Sequence, residues 1–307
     1  MSEIPIPFEI HNCQDLEPLL FSIFMETCAK LGVTEEEERR IAENIGEFSF
    51  GFQAIVQRLR VARDFENEKA VAKYGYFSGY RRPKLIDEQI DILRSHWPML
   101  NPDRAIRYMR DVYPKLQLPD WIEGPFAIIR PGFFSEKYHE EIEEVLRALS
   151  RSRDEQFCNY LRFRGEMNCI QPHKCSADYV EIMRQQLNSD ILVVPGQFGI
   201  RYPKGNGTHI VSSVRRVRVK MTGGEFGEGA KNIGTMLLTH SNRLAHYKDL
   251  YIKCSGDMLV PLYGGSVIFA PQFSFRLNRL EFNRDFVTFS YDRYGLPSGF
   301  HQSPQPS

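Results

Sequence analysis

The sequence predicts an α+β fold, with a helical N-terminal region followed by a mixed α/β region that ends in antiparallel strands. Three observations predict it. Apolar residues recur at helical spacing through the N-terminal third, short continuous apolar runs alternate with helical patterns in the middle, and aromatic and β-branched segments close the chain. The expected organisation is a helical region over residues 1–115, a mixed α/β domain over 120–300 and a flexible tail over 301–307.

The first helix rests on Leu16, Leu19, Leu20, Ile23, Phe24 and Leu31, which share one face, with Gly32 as a helix stop. Thr34 and Glu37 then form a capping-box pattern, and Glu35, Glu36 and Glu37 suit the positive end of a helix dipole. Ile41, Ile45, Phe48, Phe52, Val56 and Leu59 continue the stripe. Gly75 to Pro83 breaks the pattern and reads as a loop. Ile86, Ile90, Leu93 and Trp97 mark another helix. Asn101-Pro102-Asp103 starts the next, with a side-chain cap and a proline where the missing N–H costs nothing. Its buried face is expected to carry Ile106, Met109 and Tyr113.

After Pro114, Pro119 and Gly124 the character changes. Phe126–Ile129 reads as a short buried strand, and Ser135 as the cap of a helix bearing Tyr138, Ile142, Val145 and Leu149. Ser176 caps a further helix with Tyr179, Ile182, Met183 and Leu187. Ile191–Val194 is a second apolar strand, ended by Pro195-Gly196, and these runs with helices between them suggest an α/β layer. Gly205-Asn206-Gly207 is a turn signal. Residues 266–269, 273–275 and 286–291 read as successive antiparallel strands.

The composition limits the function. Lys+Arg and Asp+Glu both number 39, so the net charge is zero and a general nucleic-acid coat or membrane-surface protein is disfavoured. No apolar stretch approaches the ~20 residues that span a bilayer. The opening residues carry acids and prolines where a signal peptide needs basic and then apolar residues, so a soluble cytoplasmic protein is expected. The six cysteines are expected to be reduced thiols.

Charge is nevertheless concentrated locally. Between Asp190 and Glu225 there is no acid, but there are Arg201, Lys204, Arg215, Arg216, Arg218 and Lys220. As a strand, this segment would line three cations along one face; as a helix capped by Ser213, it would spread them over the surface. Either form suits a polyanion or phosphorylated ligand, because guanidinium groups make paired, charge-assisted bonds to such anions. Nucleic acid or a phosphorylated small molecule is the expected partner. The plainer reading is a solvated face paired with acids such as Glu35–Glu38.

The glycine-rich run Gly223-Gly224-Glu225-Phe226-Gly227-Glu228-Gly229 follows. Its glycine order fits neither the dinucleotide fingerprint nor the P-loop. It reads either as a turn before a buried helix bearing Ile233, Met236 and Leu237, or as a site where Glu225 or Glu228 is the acid/base of a cofactor-free or metal-dependent enzyme acting on a small anionic substrate. Cys158, Cys169, His173 and Cys175 carry ligand types that zinc prefers, at a spacing unlike that of common zinc sites; buried thiols beside a surface histidine are the alternative. Cys254 is a buried thiol or, paired with a histidine such as His240 or His246, a nucleophile. Arg164-Gly165-Glu166 and Gly79-Tyr80-Arg81-Arg82 offer cations and exposed aromatics that could stack on a base. A structural or protein-interaction role is the remaining class. The sequence does not identify a cofactor.

Overall fold

The computed structural model describes residues 65–302 apart from 66, 73, 154–155, 174–181, 183–185, 187, 201–208, 222–223 and 261–267, together with residues 32, 34 and 37. The helices expected over 16–31 and 41–59, the Ser176 cap and the Gly205-Asn206-Gly207 turn lie outside the described residues. The chain divides into two compact units, residues 1–60 and 61–307.

In the first unit, the Thr34 N–H donates to Glu37 Oε2 at 2.8 Å and the Glu37 N–H to Thr34 Oγ1 at 3.4 Å. This is the reciprocal capping box expected from the sequence. Gly32, at φ +66°, takes the left-handed conformation that glycine favours.

The second unit opens with β1 (Lys69–Ala72), α1 (Ile86–His96) and α2 (Asp103–Asp111). β2 (Gly124–Ile129), α3 (Tyr138–Ser152), β3 (Phe157–Asn159), the one-turn α4 (Tyr160–Phe163) and β4 (Ile170–Pro172) follow. Next come β5 (Ile191–Gln197), β6 (His209–Ser212), α5 (Val214–Lys220), β7 (Glu225–Gly227) and α6 (Ala230–Thr239). The chain closes with β8 (Tyr251–Lys253), β9 (Asp257–Leu259), β10 (Phe269–Arg276), β11 (Arg279–Phe286), β12 (Tyr294–Gly295) and β13 (Ser298–Phe300).

The class is α+β. One sheet runs β2-β5-β13-β7 with every neighbour antiparallel. A larger mixed sheet runs β12-β8-β10-β11-β3, with β9 on β10 and β4 on β9; β3 and β12 join in parallel. β1 and β6 pair separately. Helix α6, with nine of its ten residues buried, packs against α3, α1 and β2. Ile233, Met236 and Leu237 lie in the core as expected. Ile90 and Leu93 of α1 share that core with Phe126, Val193 and Phe273. No helix of the described residues is long and apolar enough to cross a membrane.

Five local expectations are corrected. The two apolar runs that suggested an α/β layer, β2 and β5, pair directly as antiparallel neighbours. Pro195-Gly196 does not end β5: Pro195 lies opposite Pro125, and the freed Pro125 carbonyl accepts from Gln89 Nε2 at 3.0 Å. The buried face of α2 carries Ala105 and Tyr108, while Ile106 is exposed. Residues 287–291 are not a strand: β10 and β11 form the hairpin, turning at Leu277 (φ +49°) and Asn278 (φ +57°), and β11 stops at Phe286. Ser135 lies ahead of the N-cap of α3, where its Oγ accepts from the Lys137 N–H at 3.1 Å.

At the C-terminus, the His301 N–H donates to the Gly224 carbonyl at 2.9 Å, and Gln302 Oε1 accepts from the Gln117 N–H at 2.9 Å.

Candidate functional site

The basic segment is a helix. Ser213 Oγ accepts from the Arg216 N–H at 3.1 Å, which caps α5, and Val214 and Val217 are buried against Ala270, Val287 and Leu296. The cations are turned to internal use. Arg215 pairs with Glu68, Nε to Oε2 at 2.7 Å, and lies over the Phe65 ring. Arg216 is only 5% exposed. Arg218 donates from Nε to the Ser255 carbonyl at 2.9 Å and from its terminal nitrogen to the Asp257 carbonyl. Lys220, like Arg216 and Arg218, interacts within the protein. Arg201 and Lys204 lie outside the described residues.

The glycine-rich run is also used internally. Glu225 lies on β7, and Glu228 follows it; both are buried. The Asn232 amide donates to Glu228 Oε2 at 2.6 Å. Burial pushes the Glu228 carboxyl up to about 7, and the charge of Asp257 adds to the effect. Asp257 is pushed up to about 6 by burial, against donations from the Tyr138 hydroxyl and the Ala230 N–H, each at 2.6 Å. The N-terminus of α6 is therefore capped by a carboxylate of the chain itself, in the place where a phosphate would bind. The glycines allow the two loops to touch. A Cβ at Gly229 would lie 2.6 Å from Asp257 Oδ1, and one at Gly256 2.7 Å from the Gly229 nitrogen.

Cys158, Cys169 and Cys254 are free, buried thiols. Burial raises the Cys254 thiol well above its ordinary value, with Asp257 contributing. This is the opposite of what a nucleophile needs. His173 donates its backbone N–H to the Gly256 carbonyl at 2.7 Å, and Cys175 lies outside the described residues. Among the described residues no three His, Cys, Asp or Glu side chains converge as a metal ion needs.

A different group converges on a cleft of about 460 Å³ between the 82–86 segment, Met109 of α2 and the start of β2. Glu123 forms part of its wall. The Tyr76 hydroxyl donates to Glu123 Oε1 at 2.6 Å and the Tyr80 hydroxyl to Oε2 at 2.9 Å. Both donations favour the carboxylate, as does nearby Arg243, yet burial outweighs them and holds the Glu123 pKa above its ordinary value. Tyr80 is itself buried, so it is not the exposed stacking ring expected from the sequence; Arg81 and Arg82 beside it are exposed.

The segment that carries these groups is fixed at each end. Asp249 accepts the Ser78 N–H at 2.7 Å and also its hydroxyl. The Lys84 N–H donates to His240 Nε2 at 2.9 Å. His240 is neutral, because burial pulls its pKa down to about 4, and Nε2 therefore accepts while Nδ1 is left to donate to the Met236 carbonyl at 3.1 Å. Gln89 of α1 donates to the Lys84 carbonyl at 2.8 Å and accepts from the Ala127 N–H at 2.9 Å, which locks the cleft wall to β2. Behind the tyrosines, the fully buried Arg243 donates to the Phe198 and Leu250 carbonyls and stacks on Tyr76 at 4.4 Å.

The cleft therefore has an apolar wall that includes Leu85, Ile86 and Pro125, cations at Arg82 and Lys84, and two acids, Glu88 and Glu123, of which Glu123 has a raised pKa. Sequence reasoning missed Glu123, a lone acid whose partners lie 43 and 47 residues upstream. The only signal was the aromatic and cationic content of residues 79–82. No protein-family model, curated protein or solved structure matches the chain.

Proposed function

We propose that the protein is an enzyme that transfers a proton to or from a small anionic substrate bound in the Glu123 cleft, with Glu123 as acid/base. One observation carries this reading: Glu123 is a lining residue of a cleft, and burial raises the pKa of its carboxyl group. A general acid or base works best when its pKa is moved toward the working pH. Tyr76 and Tyr80 hold the carboxyl in place, and Arg82 and Lys84 supply the charge that draws an anion to the apolar wall.

The alternative acid/base pair, Glu225 and Glu228, is buried beneath the β7–α6 turn, which favours a structural role. The polyanion reading of residues 201–220 draws less support, because Arg215, Arg216, Arg218 and Lys220 are engaged within the chain.

The test is a turnover screen with small anionic 4-nitrophenyl esters, phosphates and sulfates, repeated with Glu123→Gln. The expected result is turnover of at least one compound that falls about a hundredfold or more in the variant while KM is kept. Charge reversal at Arg82 and Lys84 should raise KM instead. Wild-type turnover by Glu123→Gln would remove Glu123 from the chemistry.

A further inference from the structure

We infer that a second cleft, built by α3, β3, α4 and β11, binds a phosphorylated aromatic compound of mononucleotide size. The inference does not depend on the Glu123 reading. The cleft measures about 360 Å³ and is lined by Arg147 of α3, Arg162 of α4 and Arg279 of β11, with Glu143 the only acid among its lining residues. That volume falls in the range of about 300–1,000 Å³ usual for small-molecule sites.

The local sequence explains how the groups are presented. Asn159 Oδ1 accepts from the Arg162 N–H at 3.0 Å and so caps the single turn of α4. Leu161 is buried and anchors the turn, which leaves Arg162 and Phe163 pointing outward. Phe163 is 80% exposed, a large apolar ring in water beside guanidinium groups, and Phe157 is half-buried in the same lining. Among the described residues no carboxylate pairs with Arg162. Arg147 pairs with Glu144 at 2.7 Å, but its side chain is 57% exposed, so that bond is solvated and readily exchanged for a ligand phosphate. Arg279 is held by the Tyr160 hydroxyl, lies over the Tyr160 ring at 5.7 Å and pairs loosely with Glu281, Nε to Oε1 at 3.5 Å.

Guanidinium groups match phosphate oxygens in paired bonds, and an exposed phenyl ring offers a face to a flat base. The net positive lining favours an anion, and the rings favour an aromatic body over inorganic phosphate.

The experiment is calorimetric titration of the full chain with adenosine 5′-monophosphate at low salt, beside adenosine and inorganic phosphate. Saturable binding below about 1 mM is expected, with each fragment weaker by about tenfold or more. Arg162→Glu, at an exposed position, should weaken the nucleotide by about tenfold or more with the circular dichroism spectrum unchanged, and Phe163→Ala by several-fold. The inference is overturned if the nucleotide fails to saturate, if Arg162→Glu binds it as the wild type does, or if either fragment binds as tightly as the whole.

Discussion

The Tyr76 hydroxyl donates to Glu123 Oε1 at 2.6 Å and accepts from the Ile200 N–H at 3.1 Å, so one phenol joins the Glu123 carboxyl to the chain after β5. Tyr76→Phe removes a bond that favours the carboxylate. The Glu123 pKa should rise further, and the limb of the pH–rate profile that it governs should move to higher pH. The Ile200 N–H also loses its acceptor, at a cost of about 1–3 kcal/mol in denaturant unfolding. An unmoved pH profile would separate Tyr76 from the Glu123 titration.

Glu228 makes stability depend on pH in a stated direction. Its folded pKa is raised from 4.5 to about 7, so the folded state holds the proton more tightly than the unfolded chain does. Its contribution is fully present below pH 4.5 and is lost as pH rises through about 7. The size of that loss is about 3 kcal/mol. Glu228→Gln keeps an acceptor for Asn232 and cannot ionise. Urea unfolding at pH 5 and pH 8 should show a smaller fall in stability for the variant than for the wild type. Equal falls would mean that the carboxyl is already ionised at pH 5.

Lys231 of α6 pairs with Glu141 of α3 at 3.0 Å, and both side chains are 2% exposed. Lys231 also donates to the Arg130 carbonyl at 2.7 Å, and Glu141 Oε1 accepts from the Phe133 N–H at 2.9 Å and the Phe134 N–H at 3.2 Å. Lys231→Met strands a buried carboxylate and should cost about 3–5 kcal/mol. Adding Glu141→Gln keeps an acceptor for the two N–H groups and should restore most of the loss. A double variant as unstable as the single one would show that the lysine matters through packing, not charge.

The parts of the fold that could be read from the sequence are those whose signal is local. Phe126–Ile129 and Ile191–Val194 are continuous apolar runs, and they became neighbouring strands in the core. Thr34 with Glu37 and Asn101 with Asp103 carry their own caps. Where two periodicities competed, the pattern failed. The alternating Val and Arg of 214–220 fits strand or helix equally, and the cap from Ser213 settles it. The hairpin turn at Leu277-Asn278 has no glycine to announce it, although both residues take the left-handed conformation that turn needs.

The site was harder to read for a physical reason. A cluster of Arg residues is conspicuous in one dimension, but Arg215 and Arg218 turn inward to Glu68 and to the Ser255–Asp257 turn. Glu123 has no sequence neighbours that mark it. Its environment is assembled from Tyr76, Tyr80 and Arg243, brought together only when β2, α6 and the 74–85 segment pack.

The most direct test of the Glu123 assignment is an NMR titration of its carboxyl carbon, assigned by difference from Glu123→Gln. The structure predicts a midpoint above the ordinary glutamate value of 4.5, because burial outweighs the two tyrosine donors. A midpoint at or below 4.5 would contradict it, since the carboxyl would then be an ordinary hydrogen-bonded anion with no reason to act as an acid near neutral pH.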